Sequence, residues 1–306
     1  MSQTNNCDCA CPTLTMLPVR GFGLAVDASS LGGQGVTPGP DNTHLVTRNG
    51  ALVWEPFGQT DIGLMPPADL YVATDGDDAN DGLTPENPFA TIQAAVDSTR
   101  KYAVTDQQIT IHVASGSYAE GVKMDAYSGH YLNLRIQGDE AGYPLIDGDV
   151  IQQFGGWLEL AYLHVTSSGC CFRAHSYCRM TIADCLATVR NGGEAAYYAT
   201  GSAQIDLSGT HTAKIDGSAG YFALLIMVGK ITVNPGAKLD CKGTVTGATF
   251  WANHQSIMTV PTSAVLSGSV TGKKYSARSN SIITAPGHTI PGTVAGTTGN
   301  GGAYYG

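Results

Sequence analysis

The sequence predicts an all-β fold: a right-handed parallel β-helix of about eight turns. Three observations carry this expectation: short alternating strands return at a constant interval, charged residues are scarce, and turn residues are abundant. Charged side chains make up 13% of the 306 residues, and glycine alone contributes 39. That composition suits many short strands joined by tight turns. Hydrophobic residues are 42% of the chain, enough to fill a core.

The interval is read from the strand-like segments, which centre on Ile111, Leu134, Leu160, Ile182, Ile205, Ile231, Ile257 and Ile282. Successive centres lie 23, 26, 22, 23, 26, 26 and 25 residues apart. Within each segment apolar residues alternate with polar ones, as in Ile109-Thr110-Ile111-His112-Val113 and Leu132-Asn133-Leu134-Arg135-Ile136. Alternation means one buried and one wet face. A strand that returns at a fixed interval with one dry face implies a sheet coiled around an apolar lumen. Eight turns at about 4.8 Å each would make a rod of roughly 38 Å.

In chain order, residues 1–67 read as an attachment segment, punctuated by Gly21-Phe22-Gly23 and Pro38-Gly39-Pro40. Residues 68–104 hold a strand, an Asp/Asn/Gly turn and a short amphipathic helix over Phe89–Thr99. Ile92, Ala95, Val96 and Thr99 share one face of that helix at i, i+3, i+4, i+7 spacing. Its place before the first coil suits a cap over apolar lumen and unpaired strand edges. Residues 105–285 are the repeat, and residues 286–306 form a Gly-rich tail that would pack between chains.

The stretch ATDGDDANDGLTPENPFATIQAAVD (residues 73–97) resembles the start of the β-helix in tailed-bacteriophage tailspikes and tail fibres. ITIHVASGSYAEGV resembles the first rung that follows it. The C-terminal GKKYSARSNSIITAPG and PGTVAGTTGNGGAYYG resemble the endings of many phage fibre proteins. The resemblance covers about residues 68–135 and 272–306; bacterial polysaccharide lyases share the first motif. It implies a homotrimer, with residues 1–67 bound to other phage tail or capsid proteins. It also implies a host cell-surface glycan as ligand and the virion, assembled in the host cytoplasm, as location.

Candidate chemistry is sparse. Asp75, Asp77, Asp81 and Glu86 are closely spaced oxygen donors of the kind a hard cation takes. Position six of that loop is Asn80 where an EF-hand needs Gly, and Asx turns explain the same residues. Cys7, Cys9 and Cys11 lack the second pair that a zinc site wants. Cys170, Cys171, Cys178 and Cys185 read as small hydrophobes stacked in the lumen. No cofactor is expected. The residues assign no catalytic group; a glycan-cleaving site, if built, would draw on Asp139, Glu140, Asp147 and Asp149. Tyr197, Tyr198 and Trp251 are the expected ligand-binding residues, because aromatic faces with polar tips suit sugars.

A net charge of −9 without a basic run argues against nucleic acid. No run of about eighteen apolar residues is present to insert in a membrane. The first twelve residues, MSQTNNCDCACP, lack the charged and apolar regions of a secretory signal, so synthesis is expected in a cytoplasm. Two functional readings follow: a non-enzymatic virion spike or fibre that attaches to the host, and a tailspike depolymerase acting on capsule or lipopolysaccharide.

Overall fold

A computed structural model describes residues 43–48, 51–56, 65–102, 106–126 and 129–306. The chain divides into two compact units, Met1–Ile62 and Gly63–Gly306. In the first, Thr43–Arg48 and Ala51–Pro56 pair antiparallel, with Arg48 opposite Ala51. Asn49-Gly50 separates them in sequence, a pair that favours tight hairpins. Cys7, Cys9, Cys11 and most of the expected attachment segment lie outside the described residues.

The second unit is a parallel β-solenoid of about eight turns, and each turn has three faces. The first face is a ten-stranded sheet running from Asp69–Val72 to Ala303–Tyr305. All eight sequence-derived segments fall in it, and every pairing is parallel. The second and third faces form one thirteen-stranded sheet. They merge because Thr210–Ile226 and Lys238–Ala252 are long enough to run round the corner between them.

Two apolar ladders climb the inside of the first face. One is Ile109, Leu134, Leu158, Met180, Ile205, Ile231, Met258 and Ile283, each opposite the next. The other is Leu70, Ile111, Ile136, Leu160, Ile182, Leu207 and Val233. Every member is fully buried. Thr110, Arg135, Glu159, Thr181, Asp206, Thr232, Thr259 and Thr284 occupy the alternate, outward column. The period-two pattern of the sequence is therefore the pleat of this sheet. At two coils the sequence-derived centre is one residue off. Ile257 is 40% exposed, and Met258 and Ile283, not Ile257 and Ile282, fill the lumen. Runs of two adjacent apolar residues, Ile257-Met258 and Ile282-Ile283, leave the parity undecided from sequence.

The third face stacks larger groups inward. Val150, Phe172, Tyr197, Ala223, Phe250 and Tyr275 form one ladder. The Phe172 and Tyr197 rings are nearly parallel, with centroids 5.7 Å apart. Cys171, Cys178, Cys185 and Cys241 belong to the lumenal core as free thiols. Cys170 does not: it belongs to a separate cluster. Residues 286–306 add the last coil, with Thr297–Gly299 on Tyr275–Arg278 and Ala303–Tyr305 on Ile282–Thr284. Their backbone thus finds partners within its own chain.

The helix α1, Ile92–Ser98, is shorter than expected. Phe89 is held as a β-bridge to Val72, so the helix starts only after Thr91. Thr91 caps it by accepting the Ala94 N–H at 3.1 Å. The expected apolar stripe of Ile92, Ala95, Val96 and Thr99 is buried. Polar hooks from elsewhere hold the helix. Glu120 accepts the Ile92 and Gln93 N–H groups at 2.7 and 3.0 Å. Asp78 accepts those of Ala90 and Thr91, both at 2.9 Å. The Gln93 amide accepts from the N–H of Lys123 and donates to its carbonyl, as a neighbouring strand would. Buried His130 accepts the Asp125 N–H on Nδ1 and donates from Nε2 to Asp97 at 2.8 Å.

Candidate functional site

On the outside of the third face, Arg173, Tyr198, Leu224 and Trp251 stand opposite one another on four successive coils. Beside them runs a second column of Cys170, Ala195, Tyr221 and Ala248. These columns make an apolar cluster distinct from the lumen. Cys170, Ala195 and Leu224 lie buried beneath Tyr198, Tyr221, Ile226 and Trp251. Side chains alternate across a strand, so Tyr198 comes out where Tyr197 goes in.

The outer rings are ordered. Tyr221 and Trp251 stack with centroids 5.0 Å apart and planes 9° from parallel. The Arg173 guanidinium carbon sits 5.2 Å from the Tyr198 centroid, within cation–π range. His175 meets Tyr198 edge-on at 5.5 Å. Arg173 is held by Glu194 at 3.0 Å and by the Cys170 sulfur at 3.2 Å. The Cys170 thiol donates to Glu194 at 3.2 Å. Burial pushes that thiol up to about 12, so it stays protonated. Burial, then the charge of Arg173, lowers His175, which keeps the imidazole neutral. Burial raises both Tyr198 and Tyr221, which remain phenols. The result is a flat, half-buried aromatic strip with one ion pair at its margin. It has the surface and the polar tips to stack on sugar rings. From Tyr198 to Trp251 it spans two coils, about 10 Å.

The other sequence-derived residues are placed as follows. Tyr197 is 1% exposed inside the coil and is no part of any surface. Asp139 accepts hydrogen bonds from Ser115 Oγ at 2.6 Å and the Ala141 N–H at 3.0 Å. Those two bonds hold its carboxyl below the usual range, the opposite of what a general acid needs. With Glu140 it borders an open groove near Tyr71, His112 and Ser115. Asp147 pairs with Arg190 at 2.5 Å, a partner two coils away that the local sequence conceals. Asp149 accepts from Ser167 Oγ.

Of the oxygen donors near the first coil, Asp77 accepts the Ala79 N–H, and Asp81 accepts from Leu83 and Asn87. Asp75 and Glu86 are exposed. Among the described residues, no three His, Cys, Asp or Glu side chains gather to hold a metal. Arg173 and Glu194 are what sequence reasoning missed. The signal was the repeat itself: Arg173, Tyr198, Leu224 and Trp251 are 25, 26 and 27 residues apart. No protein-family model, no curated protein and no solved structure matches the chain.

Proposed function

We propose that the chain is a trimeric spike or fibre of a phage virion that attaches the particle to glycan on the host surface. The observation that carries this reading is the outer strip of Tyr198, Tyr221 and Trp251. It is ordered, partly open to solvent and not needed to close the lumen. Support comes also from the parallel solenoid, which agrees with the resemblance to tailspikes at residues 68–135. On this reading residues 1–67 bind the virion, α1 caps the first coil, and the coil winds right-handed.

Glycan binding by the full-length protein tests it. Host-surface polysaccharide should bind the unaltered protein, and Tyr198→Ala with Trp251→Ala should weaken binding by about 10–100-fold, at roughly 0.7–1.4 kcal/mol per lost ring. Tyr197→Phe, which changes only the interior, should bind as the unaltered protein does. Unchanged affinity in the double variant would remove this face from recognition.

A further inference from the structure

Each third-face strand ends in a corner before the next first-face strand. Six of these corners use two successive residues in the left-handed region: Ser176-Tyr177, Gly201-Ser202, Met227-Val228, His254-Gln255, Ser279-Asn280 and Asn300-Gly301. Backbone bonds stack them, such as Tyr177 N–H to the Gly201 carbonyl and Val228 N–H to that of His254. This conformation favours Gly and Asn, and a β-branched residue there is strained. Val228 nevertheless sits at φ 66° beside Met227 at 50°.

Those residues are also bare. Tyr177 is 81% exposed, Met227 55% and Val228 49%. Trp157 and Ile257 begin the strands after two of these corners, at 43% and 40%. With Leu132 and Phe154, seven of the twelve exposed large hydrophobics among the described residues lie along this one corner. At these exposures the seven residues leave roughly 700 Å² of surface open, main-chain and polar atoms included, against the ~800 Å² that one partner contributes to a stable interface. None of the corner residues 154–156, 176–178, 201–203, 227–229 and 254–256 is Asp, Glu, Lys or Arg.

We infer that this corner is where copies of the chain meet, side by side about an axis running along the coil. Three facts favour a second copy over another partner. The patch has the area of a standard interface. It runs parallel to the coil, so an identical parallel chain presents the same residues at the same heights. Its corner residues carry no charge, and the cations at its edge, Arg179 over the Trp157 ring and Lys230 opposite Ile257, offset part of the net charge of −9 that would otherwise hold copies apart. The inference rests on the trimeric reading above and names the surface that reading needs.

The test is sedimentation equilibrium of the full-length protein, comparing the unaltered chain with Tyr177→Asp/Met227→Asp. Asp tolerates the left-handed region, so far-UV circular dichroism should not change. The unaltered protein should be a trimer at micromolar concentration, and the double variant should dissociate at least 100-fold more readily. A second variant, Val228→Asn, relieves backbone strain. Added to the double variant it should raise the melting temperature, while alone it should weaken assembly. A trimer that all these variants leave intact would overturn the corner and spare the trimeric reading. An unaltered protein that is monomeric would overturn both.

Discussion

Two neighbouring residues on one strand should respond in opposite directions to similar chemistry. Ile231 is fully buried, opposite Ile205 on one side and Met258 on the other. Ile231→Thr removes two carbon groups, worth about 0.8 kcal/mol each. It also leaves a hydroxyl in a dry lumen at about 1–3 kcal/mol. The loss should be roughly 3–4.5 kcal/mol. Thr232 stands outward between Asp206 and Thr259, yet its Oγ1 is buried without a hydrogen-bond partner. Thr232→Val keeps the β-branch and removes the orphaned hydroxyl, a gain of about 1 kcal/mol. For a unit of this size each kcal/mol moves the melting temperature by ~2–4 °C. Circular dichroism melts should therefore show a fall of about 6–18 °C for Ile231→Thr and a rise of about 2–4 °C for Thr232→Val. A one-residue slip in register exchanges the two faces. A stable Ile231→Thr with a damaged Thr232→Val would show that the strand faces the other way and that both ladders are misdrawn.

The five described thiols and the helix hooks give further tests. Burial pushes Cys178 up to about 11 and Cys170 and Cys185 up to about 12, and raises Cys171 and Cys241 further. Iodoacetamide at about pH 8 should leave all five unmodified in native protein and label them after unfolding, as read by peptide mass spectrometry; native labelling of Cys185 would contradict a closed lumen. Glu120→Gln should change the pH dependence of stability. Burial raises the Glu120 pKa, although the N–H groups of Gln93 and Ile92 counter it. The folded state thus holds that proton more tightly than the unfolded chain. As pH falls into the window just above the ordinary glutamate range, this group adds stability. Asp97 runs the other way. Burial opposes its ionisation, but the bond from His130 and the charge of Arg100 hold it low. Its contribution is full above the ordinary aspartate range and is lost as pH falls through its lowered value. Between about pH 7 and about pH 5 the unaltered protein should gain melting temperature relative to Glu120→Gln. Parallel curves would mean that Glu120 titrates as if exposed.

The first face was legible because it obeys two periods at once. Thr110, Arg135 and Glu159 mark the wet side, and Ile111, Ile136 and Leu160 the dry one, so parity and interval agree. The other faces were not legible for a physical reason. Their strands are shorter or bend, as Thr210–Ile226 does, and they carry buried small residues on both sides, as in Ala195-Ala196. Alternation then fades. The helix stripe was legible, but its start was not. A bridge between Phe89 and Val72, a contact across the intervening Asp/Gly turn, shortens it by competing for the residues before Thr91. The hooks from Glu120 and His130 come from 28 and 33 residues downstream of the groups they hold, and nothing local announces them.

The candidate site shows what a solenoid hides from a linear reading. Tyr197 and Tyr198 are the same residue type side by side, and composition cannot separate them. Phe172 can: it lies 25 residues before Tyr197, stacks on it inside the lumen, and so sends Tyr198 outward. The outer strip then follows from the same count, through Arg173 before it and Leu224 and Trp251 after. Turn lengths differ from coil to coil, yet the columns stay in line, because the corners absorb the extra residues while the strands keep register. Outward residues in such a fold are thus coupled across about 25 positions and free of their immediate neighbours. A surface of this kind can be altered one residue per coil, leaving the lumen that supports it intact.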